Sequence, residues 1–152
     1  MIRKMKNIDL NRVADIWLKT NLKAHYFIPE QYWTSNYELV KEMLLQAEVY
    51  VYEDNKMIQG VVEYIEGIFV SDEMQSCGIG KLLLDYIKNK KIRLRLNVYQ
   101  KNARALSFYQ REGFDIQCDN HGRMQPITKV TMKMHRAVRE DLLRYLQSHI
   151  TA

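Results

Sequence analysis

Apolar and polar positions alternate most strictly over Ile92-Arg93-Leu94-Arg95-Leu96-Asn97-Val98, which predicts a strand with Ile92, Leu94, Leu96 and Val98 on one side. Residues 1–6 alternate enough for a first strand. Behind them Leu10, Val13, Ile16 and Trp17 recur at helical spacing, with Asn7 or Asp9 available as the cap. Residues 30–46 read as a second helix, with Pro29 near its start and Tyr37, Val40, Met43 and Leu44 on one side. A β region follows. Val49-Tyr50-Val51-Tyr52 stops at the turn signal Glu53-Asp54-Asn55-Lys56, and residues 57–64 and 65–70 read as two further strands. Residues 78–89 form a leucine-rich helix, and a short helix over 102–112 stops at Gly113. Strands at 114–118 and 127–134 flank a loop with Gly122 and Pro126. Val138, Leu142, Leu143, Leu146 and Ile150 then share one face of a last helix over 136–150.

The order β-α-α-β-β-β-α-β-α-β-β-α predicts an α+β fold, a sheet with helices on its faces; a doubly wound dinucleotide fold needs more regular alternation. No internal repeat, linker or low-complexity tract interrupts it. At 152 residues, with 47% hydrophobic and 27% charged, the chain is one globular domain of ordinary size. It has no apolar run of the ~18 residues a membrane span needs, and no apolar stretch behind Met1-Ile2-Arg3-Lys4-Met5-Lys6. The expected location is the cytoplasm, away from membranes.

The net charge of +5 suits an anionic ligand. Its densest basic run, Lys88 to Arg93, reads as the exposed end of a helix rather than a nucleic-acid site, so no nucleic-acid partner is expected. Cys77 and Cys118 lie far apart, and His25, His121, His135 and His149 are scattered. Neither set has metal-ligand spacing, so no metal site is expected.

The most informative segment is the apolar strand Ile68-Phe69-Val70, the polar turn through Gln75-Ser76-Cys77 and the pair Gly78-Ile79-Gly80 at the head of the leucine-rich helix. Backbone N–H groups at such a helix start lack internal partners and carry partial positive charge, which attracts a phosphate. Taken alone, a glycine pair there is as often a plain tight turn. Two phosphate loops are excluded by identity: Leu82 stands where GxxxxGK[ST] needs Ser or Thr, and Leu83 where GxGxxG needs its last glycine.

Two motifs in this order resemble those of the GNAT superfamily of acyl-CoA-dependent N-acetyltransferases. One is Gln75-Ser76-Cys77-Gly78-Ile79-Gly80 after a strand, matching the pyrophosphate loop Q/R-x-x-G-x-G/A. The other is Asn102 followed by a helix ending Phe108-Tyr109-Gln110-Arg111-Glu112-Gly113-Phe114. The resemblance covers about residues 1–134, leaving 135–152 as a C-terminal helical extension packed on the domain or on a partner such as a second copy. Finer likeness, in His25-Tyr26-Phe27-Ile28, Tyr32-Trp33 and Asn97 to Asn102, points to a bacterial branch that includes peptidyl-lysine N-acetyltransferases.

The resemblance implies a central mixed, mostly antiparallel sheet flanked by helices, acetyl-CoA as cosubstrate and an amine acceptor. It implies that backbone groups from Gln75 to Lys81, namely Gln75, Ser76, Cys77, Gly78, Ile79, Gly80 and Lys81, hold the pyrophosphate. Ile68, Phe69 and Val70 would pair with the pantetheine arm, and Asn102 would contact the cofactor. Lys81, Lys101 and Arg104 are further candidates for the nucleotide phosphates. Tyr109 matches the family's tyrosine near the thioester sulfur, and an ordinary phenol pKa of ~10 keeps its proton at neutral pH, as a general acid requires. The base stays open among Glu63, Glu66 and His25. The segment 57–70 looks short for two paired strands and a turn, which puts the acceptor face in question. The acceptor is a protein lysine or a small amine such as an antibiotic, polyamine or amino acid; a weakly active CoA-binding sensor is the reading from another class.

Overall fold

The computed structural model describes residues 1–63, 67–91, 93–117 and 129–134. The chain divides into two compact units, Met1–Lys90 and Lys91–Ala152.

The first unit carries a four-stranded sheet in the order β1-β2-β3-β4, formed by β1 (Ile2–Lys4), β2 (Val49–Asp54), β3 (Met57–Glu63) and β4 (Gly67–Val70), every pair antiparallel. The turn between β2 and β3 is tighter than expected. The strand runs on through Asp54, and Asn55 and Lys56 alone make the turn, at φ +48° and +62°. Two successive positive-φ residues are what a type I′ hairpin turn requires, and its twist matches that of the strands.

β3 and β4 do pair, with Gly60 opposite Val70 and Glu63 opposite Gly67. The segment is therefore long enough for two paired strands, against the sequence expectation; both are shorter than predicted, with residues 64–66 between them and outside the described residues.

One face of this sheet packs on α1 (Leu10–Ala24) and α3 (Tyr37–Gln46), where Val13, Ala14, Ile16 and Leu44 meet Val49, Val51, Ile58 and Val61. Strict alternation would send Ile58 and Val61 to opposite faces. A bulge resolves this: Tyr52 pairs with Gly60 and Glu53 with Ile58, so Gln59 is an extra residue in β3 and both apolar side chains reach one core. Against Gly60 lies α4 (Ile79–Lys90). A β-carbon on Gly60 would sit 2.8 Å from Cγ2 of Ile79 and 3.0 Å from Cδ1 of Leu83, so the first turn of α4 needs that glycine to approach the strand.

Two local expectations are corrected. Residues 30–46 form two helices, α2 (Glu30–Ser35) and α3, broken at Asn36. Thr34 Oγ1 donates to the Glu30 and Gln31 carbonyls and Asn36 Nδ2 to the Tyr32 carbonyl, so side chains compete with the helical backbone in the Thr34-Ser35-Asn36 run. Neither Asn7 nor Asp9 caps α1 with its side chain.

Asp9 instead accepts from the Lys6 N–H at 2.8 Å and from both terminal guanidinium nitrogens of Arg3, at 2.7 and 3.1 Å. Arg3 Nε reaches Glu53 at 2.9 Å, tying β1 to β2 and to the start of α1. The Arg3 hydrogen bond holds the Asp9 carboxyl below the usual carboxylate range. A depressed folded pKa adds stability that is present above the unfolded value of ~3.9 and lost as pH falls through the folded one. Asp9→Asn is thus expected to lower stability at neutral pH by about 2 kcal/mol and to flatten the loss below pH ~4. Urea unfolding at neutral pH and well below pH ~4 checks this; an equal difference at both would contradict it.

The second unit carries a three-stranded antiparallel sheet, β5-β7-β6, of β5 (Arg95–Tyr99), β6 (Phe114–Gln117) and β7 (Lys129–Met134). The predicted alternation holds, with Leu94, Leu96 and Val98 buried and Arg95 and Asn97 exposed; Ile92 lies outside the described residues. α5 (Ala103–Arg111) ends as expected, with Gly113 at φ +93°. Residues 118–128, which include the loop expected around Gly122 and Pro126, and the helix expected over 136–150 lie outside the described residues.

Candidate active site

The strand-to-helix segment of the first unit gathers backbone amides at the head of α4. β4 is an edge strand among the described residues, bonded to β3 alone. The Ser71 N–H donates to the Gln59 carbonyl at 2.8 Å. By the alternation of an antiparallel ladder, Phe69 and Gly67 then also turn their backbone groups toward β3, while Ile68 and Val70 turn theirs to the outer edge. Phe69 also packs its ring against the α1-side core. Of the three strand residues predicted to meet a ligand, Ile68 and Val70 therefore turn their backbone to the outer edge, where the Val70 carbonyl already accepts from Gln75 Nε2, and Phe69 holds the strand in place.

After β4 the chain makes a 3-10 turn at Asp72–Met74 and then alternates handedness: Ser76 lies at φ +62° and Gly78 at +84°. Such alternation points successive N–H groups into one concavity. The first helical bond of α4 runs from the Leu82 N–H to the Gly78 carbonyl at 3.1 Å, so the amides of Gly78, Ile79 and Gly80 lie ahead of the helical ladder. A β-carbon built on Gly78 meets nothing within 4 Å. The concavity is open where an anion would approach, and its donors are neutral amides at the positive end of a 12-residue helix, a set that fits a pyrophosphate.

Side chains around the loop brace it. Gln75 Nε2 donates to the Val70 carbonyl at 3.0 Å and to Asp72 Oδ1 at 3.2 Å, so the first residue of the motif holds the turn closed. Cys77 is exposed, its thiol 3.6 Å from the Gln75 carbonyl. Lys81 forms an ion pair with Asp85 one turn along α4, at 2.9 Å.

In the second unit, Asn102 caps α5: its Oδ1 accepts from the Ala105 N–H at 3.2 Å. The Asn102 side chain is thus a structural cap, whatever else its amide meets. Tyr109 is 6% exposed and is gripped between Phe108 and Phe114, ring centroids 5.1 and 5.5 Å away. A phenol held so tightly keeps one orientation, which a proton donor needs. Lys101 and Arg104 are exposed.

The three candidate bases separate. Glu63 is half-buried at the end of β3, opposite Val49 and Gly67, and by alternation shares the α1-side face with Val61. His25, the residue that ends α1, is half-buried and stacks on Trp33 at 5.3 Å with 25° between the rings. Trp33 also meets Trp17 and Tyr32 at 5.7 and 4.9 Å, while Tyr26 (80% exposed) and Tyr32 (51%) bring aromatic surface into solvent. Glu66 lies outside the described residues. Among the described residues no group of acidic, His and Cys side chains has the geometry to hold a metal ion, and no helix is long and apolar enough to cross a membrane.

Four further residues support the loop: Gln59 and Ser71, which hydrogen-bond to each other, Lys23, which pairs with Asp72, and Gly60, on which α4 rests. A glycine inside a strand was the one signal of them available in the sequence, since it marks close backbone approach. The bonds of Gln59, Ser71 and Lys23 are long-range and leave no local pattern.

Comparison with known proteins identifies the family and the fold. The acetyltransferase (GNAT) domain family matches residues 25–136. The peptidyl-lysine N-acetyltransferase YiaC of Escherichia coli is 35% identical over 122 residues, covering 76% of this chain and 84% of that protein. The peptidyl-lysine N-acetyltransferase YjaB of the same organism is 23% identical over 137 residues, covering 83% and 92%. Two solved structures share the fold. Apo-form YjaB from Escherichia coli has a TM-score of 0.72 at 22% identity, covering 88% of this chain and 95% of that one. The PaiA N-acetyltransferase of Thermoplasma acidophilum, solved in complex with coenzyme A, has a TM-score of 0.73 at 20% identity, covering 88% and 97%. On the family match and the YiaC likeness, this chain belongs to the GNAT family of N-acetyltransferases.

Proposed function

We propose that this chain transfers an acetyl group from acetyl-CoA to a primary amine, with a lysine side chain of a protein as the acceptor. The observation that carries the reading is the loop from Gln75 to Lys81, whose left-handed Ser76 and Gly78 aim backbone amides into an open concavity at the head of α4. Acetyl-CoA supplies an acyl group already activated as a thioester. The amides of Cys77 to Gly80 bind its pyrophosphate, and the outward backbone of Ile68 and Val70 pairs with the amide-rich pantetheine arm as one strand pairs with another.

Chemistry then needs the amine neutral, the new carbon–nitrogen bond formed, the carbon–sulfur bond broken and the departing thiolate protonated. Tyr109 donates that last proton from its fixed phenol. Glu63 is the proposed acceptor of the amine proton, directly or through a water, since its strand pairs with the one that holds the pantetheine; His25 is committed to an aromatic stack. The pH profile of kcat in Glu63→Gln and His25→Asn separates the two, because only loss of the true base removes the acidic limb.

The lysine acceptor is supported by the 35% identity to YiaC, a peptidyl-lysine N-acetyltransferase. In the same reading residues 1–134 are the catalytic domain and 135–152 an extension that covers the domain or a second copy. The deciding experiment incubates the pure protein with acetyl-CoA, a lysine-peptide library and a small-amine panel while free thiol is followed. Thiol release that depends on lysine peptides supports the reading. Release with small amines alone moves the acceptor to that class, and CoA binding with no release to any amine turns the protein into a CoA sensor.

A further inference from the structure

The cofactor loop must hold several amides in one concavity before a ligand arrives, and its entry is fixed by a bond network from a different strand. Ser71, where β4 hands over to the loop, is buried at 6% exposure. Its N–H donates to the Gln59 carbonyl at 2.8 Å, and its Oγ donates to Gln59 Oε1 at 2.7 Å. Gln59 thus grips Ser71 through both backbone and side chain.

Gln59 reaches Ser71 in this way because it is the extra residue of the bulge in β3. Bulges re-aim side chains, and this one turns an amide toward the neighbouring strand end instead of into the core or solvent. Arg12 of α1 steadies the bulge as well, with Nε donating to the Ile58 carbonyl at 2.9 Å and a guanidinium nitrogen 3.5 Å from Gln59 Oε1. A second tie meets the loop at its next residue, where Lys23 pairs with Asp72 at 3.3 Å; that pair is about half exposed and screened by salt. The next residue of β3, Gly60, is where Ile79 and the first turn of α4 rest. One short piece of β3 therefore sets both ends of the loop: its entry through Gln59 and its exit through Gly60.

We propose that Gln59 and Ser71 are positioning residues for the cofactor, acting through the loop amides rather than by touching the ligand. The inference rests on the acetyl-CoA reading above. Removing the side-chain bond leaves the fold and the Ser71 backbone bond in place but lets the loop entry drift. The cost falls on cofactor affinity, because a loosened loop must be reordered on binding. Turnover of the saturated enzyme is spared.

Calorimetric titration of the full-length apo protein with CoA tests this without reference to activity. Ser71→Ala and Gln59→Leu are expected to raise the CoA Kd about five-fold, the scale of one neutral hydrogen bond. The KM for acetyl-CoA should rise with it, kcat should stay within about two-fold, and the amides of residues 76–80 should exchange faster in the apo variants. Gln59→Glu, which keeps an acceptor beside Ser71 and Arg12, should retain wild-type affinity. Unchanged Kd in both Ser71→Ala and Gln59→Leu overturns the proposal, as does a Gln59→Glu variant as weak as Gln59→Leu. If Gln59→Leu fails to fold, Ser71→Ala decides alone, since it removes one hydroxyl and keeps the backbone bond. A wild-type protein that binds no CoA sinks the acetyl-CoA reading itself, which distinguishes that failure from wild-type binding with indifferent variants.

Discussion

Gly78→Ala should weaken CoA binding by at least about ten-fold, through two costs that act together. A left-handed conformation costs an ordinary L-residue roughly 1–2 kcal/mol, and Gly78 sits at φ +84°, so an alanine there relaxes the empty loop, which must be forced back when CoA binds. The added methyl also enters the open space at Gly78, where no protein atom lies within 4 Å and the phosphates are expected to approach. Gly113 separates the two costs. It has nearly the same backbone angle, φ +93°, and the same empty surroundings, but it ends α5 instead of lining the loop. Gly113→Ala should therefore lose stability to a similar degree while keeping its CoA Kd within about two-fold of wild type. Thermal unfolding and CoA titration of both variants make the comparison. Equal loss of affinity in the two would mean that strain alone, and no cradle, explains Gly78.

The second large effect belongs to Tyr109→Phe, expected to lower kcat by about a hundred-fold, the low end for loss of a general acid, with CoA affinity nearly unchanged. Phenylalanine keeps the packing between Phe108 and Phe114, so the fold at this position should survive. The variant removes one hydroxyl and with it the proton proposed for the departing thiolate. A variant that turns over as fast as wild type, with KM unchanged, would leave Tyr109 as a core residue and return the acid to water or another side chain.

What could be read in the chain beforehand depended on how local the signal was. α5 was legible end to end, because Asn102 and Gly113 are neighbours in sequence of the helix they bound. β5 was legible because alternation over Leu94, Leu96 and Val98 needs no partner to be seen. The split between α2 and α3 was hidden by an apolar pattern that runs through Asn36 unbroken, while the competition that breaks it lies in polar side chains. The pairing of β3 with β4 was missed for lack of any Asn-Gly or Asp-Gly turn, and the bulge at Gln59 could not be seen because it exists only in the register of two strands.

The candidate site divides the same way. The glycine pair and the Asn102–Tyr109 helix stand out by motif, but their parts are not equal. Gln75 braces the turn by bonding the Val70 carbonyl, Phe69 faces the neighbouring strand and Asn102 caps its helix, so the proposed contacts with the ligand fall to the backbone of Ile68, the Val70 N–H and the amides of Cys77 to Gly80. A motif fixes which residues are near a ligand; only the hydrogen bonds show which are already committed.

Backbone amide spectra of the isotope-labelled protein, recorded while CoA is titrated in, test the central claim most directly. The account predicts that the amides of residues 76–80 move together with Ile68 and Val70, with a single midpoint, and that Gly78→Ala moves that midpoint to higher CoA concentration. Saturable shifts confined to other parts of the chain, with the loop amides unmoved, would contradict it.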